Sequence, residues 1–350
     1  MINRELLNEA LKQAIEIRDE NLILALLKKG AKVDIDSFDY IPNLMKVVEG
    51  EDDTKQYIIE KEPAMTNHVV LMLCKNIKTQ IDKNEIDKSY LDEIIWYFVR
   101  DGVVDKEFLQ NLINMGFSIN LALVENSGNA DINSTKTLLE LGADINYESD
   151  WLEYENLNSY NIMQTPLFFA LSEGGDFNAK YADECWSEEN LLKYFKFLVS
   201  NGTSKKVITE ALPMCCEAGF VNLAIFLIKN GADINYIDGN GRNALMNLAS
   251  YQVWCDETDN FDFYNLKNKR EFHIDWERFK YCKEKMNDEK YLKARKALIK
   301  KLVQETKDLT LKDNDGWNVT KLSRLNNNLD IVEQIREEIK KYALDNPYHV

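Results

Sequence analysis

Histidine and cysteine are the side chains best able to act as bases, nucleophiles and metal ligands near neutral pH. This sequence holds three histidines and six cysteines. His68 lies in an apolar run with helical spacing and reads as a structural residue, and His349 is next to the last residue. His273 shares a stretch with Cys255 and Cys282, and three such ligands are what a catalytic zinc ion takes, with water in its fourth place. Their spacing matches no recognised ligand pattern. An enzyme or metal site in 252–290 therefore stands as an alternative reading. Cys215 and Cys216 are adjacent in a helical stretch, so they point about 100° apart and read as small core residues. The phosphate-cradling G-x-x-x-x-G-K-[ST], the dinucleotide fingerprint G-x-G-x-x-G and the nucleophile elbow G-x-S-x-G are missing. Asp313-Asn-Asp-Gly316 looks like part of a calcium loop, but Leu311 and Leu322 stand where such a loop needs oxygen ligands. It reads as a turn. No catalytic residue, metal site or cofactor is expected.

Carboxylates are the abundant polar group. The chain has 59 acidic against 43 basic side chains, a formal charge of −16 and a pI near 4.8. The excess is concentrated. From Asp144 to Asn190 there are eleven acids and one base, Lys180, interleaved with nine aromatic residues. Trp and Tyr supply large contact area with a polar handle, and acidic groups speed encounter with a basic partner. The residues expected to carry binding here are Tyr147, Trp151, Glu153, Tyr154, Glu155, Glu184, Trp186 and Glu188. A second small cluster, Asp256, Glu257, Asp259 and Asp262, sits beside Trp254. Tyr236, Asp238, Arg242 and Trp317 join the set as residues of turn tips. The competing interpretation is a solvated loop whose aromatics fold back onto their own chain. An acidic surface that mimics nucleic acid is a further alternative, whereas binding to nucleic acid itself needs the Lys and Arg that this surface lacks.

Length and composition frame the elements that must hold these residues. A chain of 350 residues with 45% hydrophobic and 11% aromatic side chains can build a large core. Fourteen Gly and five Pro disfavour a turn-rich β sandwich. The first twelve residues are amphipathic and lack the apolar core of a signal peptide. No run of about 18 apolar residues exists, so no membrane partner is expected. Without C-x-x-C pairs the cysteines are expected to be reduced thiols, and the expected place is the cytoplasm. A secreted effector exported without a classical signal has the same appearance. A monomer is expected.

Self-similarity decides the fold class. Residues 221–235 read VNLAIFLIKNGADIN, 135–146 read TKTLLELGADIN and 21–34 read NLILALLKKGAKVD; weaker copies lie at 111–120 and 193–204. Each runs from a helical apolar pattern into a glycine: Gly30, Gly116, Gly142, Gly202 and Gly231. Glycine adopts the left-handed conformation that ends a helix at no steric cost. In 221–230 the apolar residues leave few polar positions, which predicts a helix packed on both sides. Asp233 and Asn235 favour a turn by bonding to nearby backbone, and Tyr236 to Gly241 makes a tight reversal.

These residues resemble the ankyrin repeat, a hairpin turn and two antiparallel helices over about 33 residues. The family's T-P-L-H-x-A helix start is present as Thr165-Pro-Leu-Phe-Phe-Ala170, with Phe168 at the histidine position. Asn243 and Ala244 replace its Thr and Pro in the next copy. The resemblance is fullest over 131–250, less full over 290–340 and least over 1–130. It implies an all-α fold, an ankyrin-repeat α-solenoid, with a divergent N-terminal section (1–130) and a repeat section (131–350). Insertions interrupt the repeats at 147–163, 173–188 and 252–290, the last with a helix of its own near 274–287. Helix pairs are expected at 4–18 with 21–29, 42–48 with 53–61, 120–127 with 133–141, 165–172 with 189–200, 205–217 with 221–230, 242–251 with 290–304 and 317–326 with 329–343. Single helices are expected near 64–80, 89–101 and 105–115. By function the resemblance implies non-catalytic recognition of a protein, and the charge makes that protein basic. An inhibitor or immunity-type protein fits.

Overall fold

In a computed structural model of the chain, the residues described are 4–34, 36–37, 65–87, 91, 94, 106–149, 165–173, 188–250, 288–326 and 328–345. They form fourteen helices, with no β-strand among them. In chain order these are α1 Arg4–Glu16, α2 Glu20–Lys28, α3 Asn67–Asp82, α4 Lys106–Asn114, α5 Ile119–Ser127, α6 Ile132–Glu140 and α7 Pro166–Glu173. There follow α8 Glu188–Ser200, α9 Lys205–Glu217, α10 Val221–Lys229, α11 Ala244–Ser250, α12 Glu289–Glu305, α13 Val319–Leu325 and α14 Leu329–Asp345. The helices expected at 42–48, 53–61 and 274–287 lie outside the described residues, and of 89–101 only Leu91 and Ile94, both helical, are described.

The chain divides into two compact units, 1–144 and 145–350, so the break falls just after the turn glycine that follows α6. In the first unit α2 packs on α1 and α3, α3 on α4, and α5 on α6. Leu11, Ile15, Ile23, Leu73 and Ile77 are almost fully buried. Asp19 caps α2 through the Leu22 N–H, and Ser118 caps α5 through that of Leu121.

The second unit is built in two rows. α7, α9, α11 and α13 pack side by side, and α8, α10, α12 and α14 form the second row behind them. Each helix of the second row also packs on a member of the first. α10 meets α8 on one side and α12 on the other, which is why its sequence is apolar nearly all round. Leu223, Ala224 and Leu227 are fully buried there, each larger side chain removing roughly 1.5–3 kcal/mol worth of apolar surface from water. Cys215 and Cys216 are buried in α9 as small core residues.

All five repeated glycines end a helix in the same way. Gly30, Gly116, Gly142, Gly202 and Gly231 have φ between +89° and +105°. In each case the next residue's N–H reaches back to the last helical turn, as from Ala31 to Leu26, Ala143 to Leu138 and Ala232 to Leu227. This satisfies a carbonyl that the helix would otherwise leave open.

A second recurring bond crosses from helix to turn. The side chains of Asn8, Asn120 and Thr209 accept from the backbone N–H of Lys32, Asp144 and Asp233, at 2.8, 2.8 and 3.1 Å. Each pair is 24 residues apart, and each N–H lies two residues after a turn glycine. The same hydrogen bond therefore recurs in both compact units.

Candidate functional site

Successive turns of the second unit are tied together by asparagine. Asn146 accepts from Ser204 N–H at 2.6 Å and donates to the Gly202 carbonyl at 3.0 Å. Asn235 repeats this from the turn after Gly231, accepting from Lys307 N–H at 2.8 Å and donating to the Glu305 carbonyl at 3.1 Å. Sequence spacing alone assigns Asn235 a local turn role. Its backbone N–H does bond locally, to Asp233, but its side chain spans about seventy residues to the neighbouring turn.

Two further turns have one design. The Asp238 carboxylate accepts from the N–H groups of Asn240 and Arg242, and Asp313 does the same for Asp315 and Trp317. The turns lie against each other: Asn314 donates from its backbone to the Asn240 carbonyl at 3.0 Å and from its side chain to Gly239 at 2.9 Å. Arg242 Nε donates to Asp313 Oδ2 at 2.9 Å, with the Asp313 side chain 1% exposed. Asp313-Asn-Asp-Gly316 is thus a turn, its carboxylate used up within protein.

Beside these turns runs an open groove of about 690 Å3, lined by the first half of α9, the 231–236 turn and the end of α12. Ile228, Ala232 and Ile234 contribute apolar surface to it, and Lys205, Lys206, Glu210, Tyr236, Lys301 and Glu305 contribute polar groups. Burial pushes the Glu210 carboxyl above its usual range, and the nearby Glu148 adds to this while Lys206 opposes it. Burial also raises the Tyr236 phenol, with the charges of Glu210 and Asp238 in the same direction. Glu148 holds the Lys206 ammonium at 2.5 Å, and Glu305 holds that of Lys301 at 2.5 Å. A smaller groove of about 430 Å3 occupies the corresponding place in the first unit, between α1 and its turn, with Glu9 where the larger groove has Glu210.

The residues expected to bind a partner divide accordingly. Tyr236 lines the larger groove, and Tyr147, half-buried, precedes the Glu148 that pairs with Lys206. Trp317 is half-buried in its turn with the Lys321 ammonium 4.7 Å from the ring centre. Three expectations are corrected. Glu188 is buried, and its carboxylate accepts from Asn222 N–H and Nδ2 and from Leu223 N–H, capping α10, whose own N-cap Phe220 has no side-chain acceptor. It belongs to α8 and not to the insertion before it. Asp238 is buried and also takes the Asn247 amide at 2.7 Å. Arg242 is spent on Asp313. All three charged groups are engaged within the protein.

Trp151, Glu153, Tyr154, Glu155, Glu184, Trp186 and Trp254 lie outside the described residues, as do His273, Cys255 and Cys282. His68 is exposed in the first turn of α3. Among the described residues no group of three or more His, Cys, Asp or Glu is arranged to hold a metal ion, and no helix is long and apolar enough to cross a membrane. Glu210 carries no sequence signal of its own, since nothing in the run KKVITEAL distinguishes it from a solvated helix glutamate. No protein-family model matches the chain, and no curated protein matches it.

Proposed function

We propose that the chain is a divergent ankyrin-type α-solenoid that recognises, and by occupying it inhibits, a basic protein. On this reading it works as a cytoplasmic monomer and without catalysis. The observation that carries the repeat assignment is the 24-residue bond from Asn8, Asn120 and Thr209 to the residue two after a turn glycine. A side chain on the first helix of a unit pins the turn that ends the second, which is what a helix–helix–turn repeat requires. The two rows of helices in the second unit and the asparagine bridges between turns support the same reading. The functional half rests on charge. Eleven acids against one base between 144 and 190, interleaved with Trp and Tyr, favour a partner rich in Lys and Arg.

The test reverses Glu153, Glu155 and Glu184 to Lys together, leaving Glu188 untouched because it caps α10. The immobilised chain should capture a protein of high pI, identified by mass spectrometry, more weakly as salt rises. The triple variant should lose that capture while keeping the helical circular dichroism spectrum. Undiminished capture by a folded triple variant would remove the charge-based reading.

A further inference from the structure

The groove beside the 231–236 turn contains two half-buried polar groups that make no hydrogen bond within the protein. Among the described residues, neither the Glu210 carboxylate nor the Tyr236 hydroxyl makes a hydrogen bond, though both line the same groove; the one opposite charge acting on Glu210 is Lys206, whose ammonium is itself held by Glu148. Their neighbours are already engaged. Lys206 is held by Glu148 and Lys301 by Glu305, while Asp233 accepts from the Asn235 N–H. Lys205, at the rim, is exposed. A half-buried acceptor without a donor carries a desolvation penalty that a ligand donor would relieve.

The chemistry narrows the ligand. An anion would meet Glu210 and find two of the three lysines already paired. A calcium ion takes six to eight oxygens, and only one carboxylate here is uncommitted. A guanidinium fits. It is planar, stacks on aromatic faces, and has five donors for a carboxylate and a phenol at once. The volume, about 690 Å3, exceeds that of one side chain and leaves room for the backbone that carries it.

We infer that this groove seats an arginine of an extended segment of the partner, with Glu210 as its counter-ion and the Tyr236 ring against its flat face. The inference rests on the reading of the chain as a recognition protein for a basic partner, and gives that reading a defined subsite.

The experiment titrates the full 15N-labelled chain with the blocked peptide acetyl-Gly-Gly-Arg-Gly-Gly-amide and with its citrulline counterpart, which keeps the shape and removes the charge. The arginine peptide should shift the amide resonances of Thr209, Asp233 and Tyr236 in a saturable way. Citrulline, and separately Glu210→Gln, should weaken binding by about tenfold or more, the scale of a lost charge-assisted hydrogen bond. The citrulline comparison uses the wild-type protein and so does not depend on any variant folding. Equal affinity for the two peptides, unchanged affinity in folded E210Q, or no shift at these residues up to the peptide's solubility limit would each overturn the subsite. If the wild type still captures a basic protein through its acidic segment in that case, only the subsite falls. If capture fails as well, the recognition reading falls with it.

Discussion

At the scale of single residues, burial determines what each ionisable group can do. The Glu210 carboxyl is held above its ordinary value of 4.5 by burial first, with Glu148 adding and Lys206 opposing. A carboxyl raised in this way favours the fold when neutral. Its contribution is fully present below about 4.5 and is lost as pH rises through the raised folded value. Near neutral pH the ionised group weighs against the fold. Glu210→Gln should therefore melt higher than wild type at pH 7 in calorimetry, and the gap should close as pH falls to 4.5; a gap independent of pH would contradict the assignment. The thiols show the same physics in the opposite role. Burial pushes Cys216 up to about 12 and raises Cys74 and Cys215 as well. None can supply thiolate near neutrality. In a variant with Cys185, Cys255 and Cys282 changed to Ser, Ellman's reagent should label no thiol of the native protein and three after guanidinium unfolding. Labelling of the folded protein would refute the buried placement.

At the scale of elements, helices were legible where the apolar period and a terminal glycine coincided. The pairs expected at 205–217 with 221–230 and at 4–18 with 21–29 fall within two residues of α9, α10, α1 and α2. The cap of α10 was not legible, because it comes from elsewhere in the chain. Phe220 offers no acceptor to α10, and the acceptor is Glu188, 34 residues earlier. In sequence Glu188 is one acid among eleven in an acidic stretch, and only the packing of α8 on α10 turns it into a cap. Glu188→Ala should lower the stability of the second unit by about 1–2 kcal/mol in urea denaturation, the range for a lost N-cap. Glu189→Ala, one residue on at an exposed position, should change little. Equal effects would show that Glu188 does not cap. Gly241 is fixed by its neighbour too. Its φ is +78°, and a Cβ there would lie 2.8 Å from Asn314 Oδ1 and 3.3 Å from Asp313 Cα. Gly241→Ala combines backbone strain with displacement of the next turn, and a loss of about 1–3 kcal/mol follows.

At the scale of the molecule, the acidic charge is unevenly placed, and part of it is taken up by the fold. Net charge is −16, and the stretch from 144 to 190 supplies most of it, while 293–350 has twelve bases against nine acids. Composition therefore pointed to a region, but not to which carboxylates remain available. Glu188 and Asp238 are consumed by the fold, whereas Glu210, which no motif marks, makes no hydrogen bond within it. Repeat arrays couple chiefly through nearest neighbours. In the second unit the coupling between turns runs partly through single asparagines: Asn146 to the turn at 202–204, and Asn235 to 305–307. Replacing Asn235 by Ala leaves its own turn closed by Asp233 but deprives the Lys307 N–H of its acceptor. Hydrogen exchange should then speed most at 305–307 and in the last turn of α12, less in α10, and least in α7 at the far end of its row. Asn146→Ala should shift the pattern to 202–204 and the start of α9. If both variants instead raised exchange evenly across the second unit, that unit would be folding as a single cooperative block, and the asparagines would be local turn residues after all.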